Sequence, residues 1–141
     1  MGLHYLQKEN FEEAIVNYKK AVELNPQKGE YYLKIAYCYN RLNNTDGAEE
    51  YYRKALNIYP DDHDANLILG IICYKKKNYT DAEKYLTKAS ASNIKDFQPD
   101  LYLLRLYYDT GMFLKAKTHA DKLKDNKVKI PAEIEKRLYQ F

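Results

Sequence analysis

The chain has 141 residues, 45% of them apolar and 30% charged, with a formal net charge of +3. These proportions exclude a disordered chain, and the small charge excludes the strong basic footprint of a nucleic-acid binder. No run approaches the roughly 18 apolar residues of a membrane-spanning helix, and residues 1–6 lack the cationic start and apolar stretch of a secretory leader. The expectation is a soluble chain, with the cytoplasm favoured.

Alanine stands at Ala14, Ala48, Ala82 and Ala116, each 34 residues after the last, which predicts stacked copies of one helix–turn–helix unit. A small side chain at one register of every copy lets two helices approach closely there. In chain order, a helix is predicted over 1–8, where the start at Met1 leaves the first copy only about half of its first helix. Leu3 and Leu6 then lack a covering neighbour, which predicts either a longer parent protein or end-to-end self-association through this uncapped repeat. Asn10, Asn44 and Asn78 recur just before the second helix of successive copies. Their side-chain oxygens can accept from free amides at helix starts, and the helices they open are predicted over 11–24, 45–58 and 79–91.

Pro26 and Pro60 close the second helices of the first two copies, because proline lacks the amide and disfavours helix in the residue before it. First helices follow over 29–41 and 63–75. Asp61 and Asp62 place favourable negative charge at the start of the second of these, and Lys75, Lys76 and Lys77 suit its end. Copy four is predicted as helices over 98–109 and 113–124, joined by a turn in which Gly111 supplies backbone freedom. Ile94 and Val128 stand where the earlier copies have proline, so the later copies diverge. Ile134, Leu138 and Phe141 form an apolar stripe on a helix over 132–140. That helix reads as a cover for the end of the array, with the beginning of a fifth copy as the alternative.

Motifs for other chemistry are missing. Cys38 and Cys73 fall inside separate helical patterns and read as buried reduced thiols. His4, His63 and His119 lie at different registers, without the three- or four-residue pairing that zinc needs, and read as surface histidines. The run Asp61, Asp62, His63, Asp64 lacks the glycine and distal glutamate of a calcium loop. No nucleophile has a base at a recognisable spacing, and the five glycines form no phosphate loop. The expectation is a protein that is not an enzyme and uses no cofactor, metal or nucleic acid.

Other columns align at the same period. Small residues recur at Gly2, Ala36 and Gly70, and at Ala21, Ala55 and Ala89, with Leu104 and Leu123 completing the two columns. Larger ones recur at Tyr5, Tyr39, Cys73 and Tyr107, and at Tyr18, Tyr52 and Leu86, followed by Ala120. This alternation resembles the tetratricopeptide repeat family. The resemblance implies an all-α, right-handed α-solenoid of about four repeats, the first truncated, plus a C-terminal capping helix. The repeats would run over about 1–28, 29–62, 63–96 and 97–130, with the array at 1–128 and the cap at 131–141. Tyr5, Tyr18, Tyr39, Tyr52 and Tyr79 fall at core registers. Asn66 and Asp100 depart from the family, which prefers a bulky aromatic at their position.

In that family the first helix of each pair lines a concave inner wall, at a fixed set of registers. Carried onto this chain, the second copy offers Glu30, Leu33, Tyr37, Asn40 and Arg41, and the third Asp64, Leu67, Ile71, Tyr74 and Lys75. The fourth offers Gln98, Leu101, Arg105, Tyr108 and Asp109, and the truncated first only Leu3, Leu6 and Gln7. The resemblance therefore assigns peptide binding to Leu33, Tyr37, Asn40, Arg41, Leu67, Ile71, Tyr74, Lys75, Leu101, Arg105 and Tyr108. Tyrosines with neighbouring cations suit a binding surface; for the three leucines, packing between helices is the alternative. Some relatives hold a terminal carboxylate with a lysine at the register where this chain has leucine, so that clamp is disfavoured. The expected partner is a protein or peptide segment with apolar side chains and some acidic character. A self-associating scaffold for a multiprotein complex is the alternative function.

Overall fold

A computed structural model of the protein describes residues 10–140. Among them there are eight helices and no strand: α1 (Phe11–Leu24), α2 (Gly29–Arg41), α3 (Thr45–Ile58), α4 (His63–Lys75), α5 (Tyr79–Ser92), α6 (Gln98–Asp109), α7 (Phe113–Asp125) and α8 (Ala132–Tyr139). Their ends agree with the sequence reading to within a residue. The helix expected over 1–8, the exposure expected of Leu3 and Leu6, and the uncapped repeat built on them lie outside the described residues. None of the described helices is long and apolar enough to cross a membrane.

The helix starts follow from the asparagines. Asn10 Oδ1 accepts from the Glu13 amide at 3.2 Å, Asn44 Oδ1 from Gly47 at 2.9 Å and Asn78 Oδ1 from Asp81 at 3.3 Å. Asp62 does the same for α4, accepting from the Ala65 amide at 2.8 Å. Each such cap contributes about 1 kcal/mol to its helix. The first helix of a pair ends by a second repeated device. After α2 the amide of Asn43 bonds back to the Asn40 carbonyl, and that of Asn44 reaches the Tyr39 carbonyl at 2.9 Å. The same pair of bonds recurs at Lys77 and Asn78, and at Gly111 and Met112. This double closure requires a left-handed residue in the turn: Asn43, Lys77 and Gly111 have φ of 58°, 62° and 74°. Lys127, with φ 61°, closes α7 in the same way.

The chain divides by internal packing into two units, Met1–Ala65 and Asn66–Phe141. In the first, α1 packs on α2 and α2 on α3. Ala14, Ile15, Tyr18, Ile35 and Cys38 form its buried centre, edged by Phe11, Val22, Tyr31, Tyr39, Leu42 and Tyr51. In the second, α5 packs on α6 and α6 on α7, with α8 more lightly against α7. Leu69, Leu86, Leu103, Leu104, Leu106, Leu123 and Ile134 are fully enclosed there, each contributing about 1.5–3 kcal/mol by leaving water. The alanine ladder lies in these cores: Ala14, Ala48, Ala82 and Ala116 are all completely buried. At Gly70 of α4 the approach is closer still, since a β-carbon there would stand 2.7 Å from Leu86 Cγ of α5.

Some core assignments need correction. Tyr18 and Tyr52 are buried and Tyr39 is half-buried with its side chain packed against the first unit's core, but Tyr79 is only half-buried and Tyr5 lies outside the described residues. The Tyr39 hydroxyl accepts from Lys19 Nζ at 2.8 Å; Tyr79 opens α5 and packs against the Tyr74 ring. Ala21, in the small-residue column, is likewise half-buried. His119 is not a surface histidine. Its Nδ1 lies 3.0 Å from Asp100 Oδ1 and its ring lies over Tyr107 at 5.5 Å.

Candidate functional site

The residues assigned to binding sit on α2, α4 and α6, and their surroundings differ by unit. On α2, Tyr37 is 42% exposed, Asn40 and Arg41 are exposed, and Leu33 is half-buried. Phe11, the first residue of α1, meets the Tyr37 ring edge-on at 6.2 Å, and the Arg41 guanidinium lies 5.5 Å from the centre of the same Phe11 ring. An aromatic pair capped by a guanidinium offers an apolar surface with a cationic rim.

In the second unit Leu67 must be removed from the contact set. It is only 7% exposed and packs in the core, as a leucine on the inward side of a helix does. Ile71 and Tyr74 are half-buried and Lys75 is exposed. The Tyr74 hydroxyl already donates to Asp109 Oδ2 at 2.5 Å, and its ring meets Tyr79 at 6.0 Å and Tyr102 at 5.9 Å. Burial first, and then the Asp109 carboxylate, push its pKa well above the usual phenol value. Tyr74 therefore contributes a ring face rather than a spare hydroxyl.

On α6, Leu101, Arg105 and Tyr108 are half-buried. Leu101 and Arg105 stand at a cleft of about 700 Å³ whose other walls are Tyr102 and the segment Lys129, Ile130, Pro131 and Ala132. Arg105 makes one long contact out of it, 3.5 Å to Glu133 Oε1 between two well-exposed side chains, an arrangement that adds little energy. Lys129 is exposed and forms no ion pair among the described residues. The cleft is thus apolar-walled and carries two cations, of which Arg105 is loosely paired with Glu133. Tyr108 lies beyond it, edge-on to Phe113 at 5.9 Å.

Sequence reasoning missed Phe11, Tyr102 and the whole 129–132 wall. The wall lies where the last repeat meets the C-terminal helix, a junction to which the register template assigns no binding position. The available signal was Pro131, which holds φ −58° and ψ 134°, extends the chain at that point and lines the cleft.

Two tetratricopeptide repeat family models match residues 1–63 and 44–98. The chain belongs to the tetratricopeptide repeat family. Its structure superposes on crystal structures of MamA with TM-scores of 0.79 and 0.81 at 25% identity; these matches cover 86% and 89% of the chain and 71% and 69% of MamA. YrrB, described as a TPR protein with an unusual peptide-binding site, matches with a TM-score of 0.77 at 22% identity over 84% of the chain and 61% of YrrB. PilF of Pseudomonas aeruginosa matches over 98% of the chain and 58% of its own length, with a TM-score of 0.73 at 19% identity. No curated protein matches in sequence. Tetratricopeptide repeats are in general non-enzymatic protein-interaction modules, and this chain carries that architecture through helix–turn–helix pairs of the solenoid class.

Proposed function

We propose that the chain captures segments of other proteins on the face presented by the first helix of each pair, without covalent chemistry. The observation that carries the reading is the cleft on α6, where Leu101, Tyr102, Ile130 and Pro131 give apolar walls and two cations stand at the rim, Lys129 and an Arg105 held only by a long contact to Glu133. Apolar walls with a few placed polar groups are the usual make-up of a binding recess. A ligand that fits them has an apolar side chain beside a carboxylate. The exposed Tyr37, Asn40 and Arg41 of α2 offer a second patch of the same character, with Phe11 as its floor. Peptide binding by YrrB agrees with this use of the fold.

The test is titration of partner peptides into the wild-type chain and an Arg105→Glu variant. Affinity for acidic–apolar peptides should fall at least tenfold in the variant, about 1.4 kcal/mol, with the melting temperature unchanged. Equal affinity would remove the α6 cleft from the binding surface.

A further inference from the structure

The start of α7 breaks a rule that the other second helices keep. Where they have the capping residues Asn10, Asn44 and Asn78, α7 has Met112, which makes no side-chain cap. Where they have acids in the first turn (Glu12 and Glu13, Asp46, Asp81), α7 has none. The positions are filled instead by Phe113, Leu114 and Lys115. Met112 is 47% exposed, Phe113 40% and Leu114 83%. Two stabilising features of a helix start have been given up together, and apolar groups placed in water in their stead.

These side chains border a recess of about 290 Å³ formed by Phe113 and Leu114 with Lys117, Arg137 and Leu138. Its walls share no residue with the α6 cleft. Arg137 is held with its guanidinium 5.0 Å from the Phe113 ring centre, and Lys117 lies toward the Tyr139 ring at 5.5 Å. No acid lines the recess. Its charged groups are both cations, Lys117 in the second turn of α7 and Arg137 in the last turn of α8. The feature is therefore apolar, concave and electropositive.

We infer that the start of α7 and the adjoining face of α8 form a second docking surface, distinct from the one proposed above, for a protein segment that combines apolar side chains with aspartate or glutamate. An apolar side chain fills the recess beside Leu114, while carboxylates reach Lys117 and Arg137. Charge complementarity selects this occupant over a second copy of the chain, because face-to-face pairing would bring like cations together. A recess of side-chain size, rather than a flat apolar plane, favours a protein segment over a lipid surface.

Random twelve-residue peptides displayed on phage are selected on the full chain and counter-selected on a Leu114→Glu variant. Leu114 is so exposed that the variant keeps the fold, which circular dichroism melting checks. The expected result is enrichment of peptides pairing apolar residues with aspartate or glutamate. Their affinity should fall at least tenfold in Leu114→Glu and in Lys117→Glu, and stay within twofold in Arg105→Glu. Four outcomes overturn the inference. They are the absence of any peptide that distinguishes wild type from Leu114→Glu, enrichment of peptides without acids, self-association that Leu114→Glu abolishes, and flotation with phosphatidylserine vesicles that Leu114→Glu abolishes. Loss of binding in Arg105→Glu alone would assign the peptides to the α6 cleft instead.

Discussion

Lys77 holds a left-handed backbone, φ 62°, in the turn where the equivalent residue of the next copy is Gly111 at φ 74°. A β-carbon makes that conformation costly, and glycine removes the cost. Lys77→Gly should therefore stabilise the chain by about 0.5–1 kcal/mol, and Gly111→Ala should destabilise it by about 1 kcal/mol. Nothing lies within 4 Å of a β-carbon built on Gly111, so the second effect is purely one of backbone strain. Thermal melting of both variants checks the opposite signs. Cys38 makes a separate prediction. Burial pushes its thiol up to about 11, against a weaker opposing pull from Lys34. At pH 8 almost none is thiolate, so an alkylating reagent should leave Cys38 unmodified in the folded chain and label it in denaturant. Mass spectrometry of the peptide containing Cys38 reads the result.

Between elements, the tightest contacts are set by small residues and by one charged network. Gly70→Ala would place a methyl 2.7 Å from Leu86 Cγ and 3.1 Å from the Leu86 backbone nitrogen, so α4 and α5 would have to separate. Such overpacking costs about 1–3 kcal/mol, measurable by urea titration. The network joins α5, α6 and α7. Asp100, 1% exposed, accepts from Ser90 Oγ at 3.1 Å and from Lys122 Nζ at 2.9 Å, and faces His119 Nδ1 at 3.0 Å. Burial is the largest influence on its carboxyl and pushes the pKa up; the bonds from His119, Lys122 and Ser90, with the Lys122 charge, outweigh it and hold the value below the usual 3.8. The folded-state value is depressed, so the stability this gives is fully present above pH 4 and lost as pH falls through the folded value. Asp100→Asn should cost about 1–3 kcal/mol at pH 7, since Lys122 loses its anion. It should also flatten the acid limb of a stability-against-pH curve.

For the molecule as a whole, periodicity made the architecture legible. The 34-residue ladder, the three asparagine caps and the two prolines each predicted an element that the structure contains. What periodicity could not supply were features peculiar to one copy. Leu67 carries the same residue type as Leu33 and Leu101 yet is buried where they are half-buried, so register alone could not choose between groove and packing for each leucine. His119 looked solitary because its partners, Asp100 and Tyr107, stand 19 and 12 residues before it. The trace in the sequence was a paired change: a polar residue, Ser90, where earlier copies have Val22 and Leu56, together with an acid at the aromatic position. The wall of the α6 cleft lay at the junction of the last repeat with the C-terminal helix, where the register assigns no binding position.

The buried carboxylate has a further consequence for how such an array can be rearranged. Asp100 needs a hydroxyl from the copy before it and an ammonium from its own. Were the fourth copy moved behind the first, the residue opposite would be Val22 in place of Ser90, and a hydrogen-bonding partner would become hydrocarbon. The modules look alike in outline but are keyed at this seam, so shuffling or duplicating them is resisted by electrostatics even where their shapes would still fit.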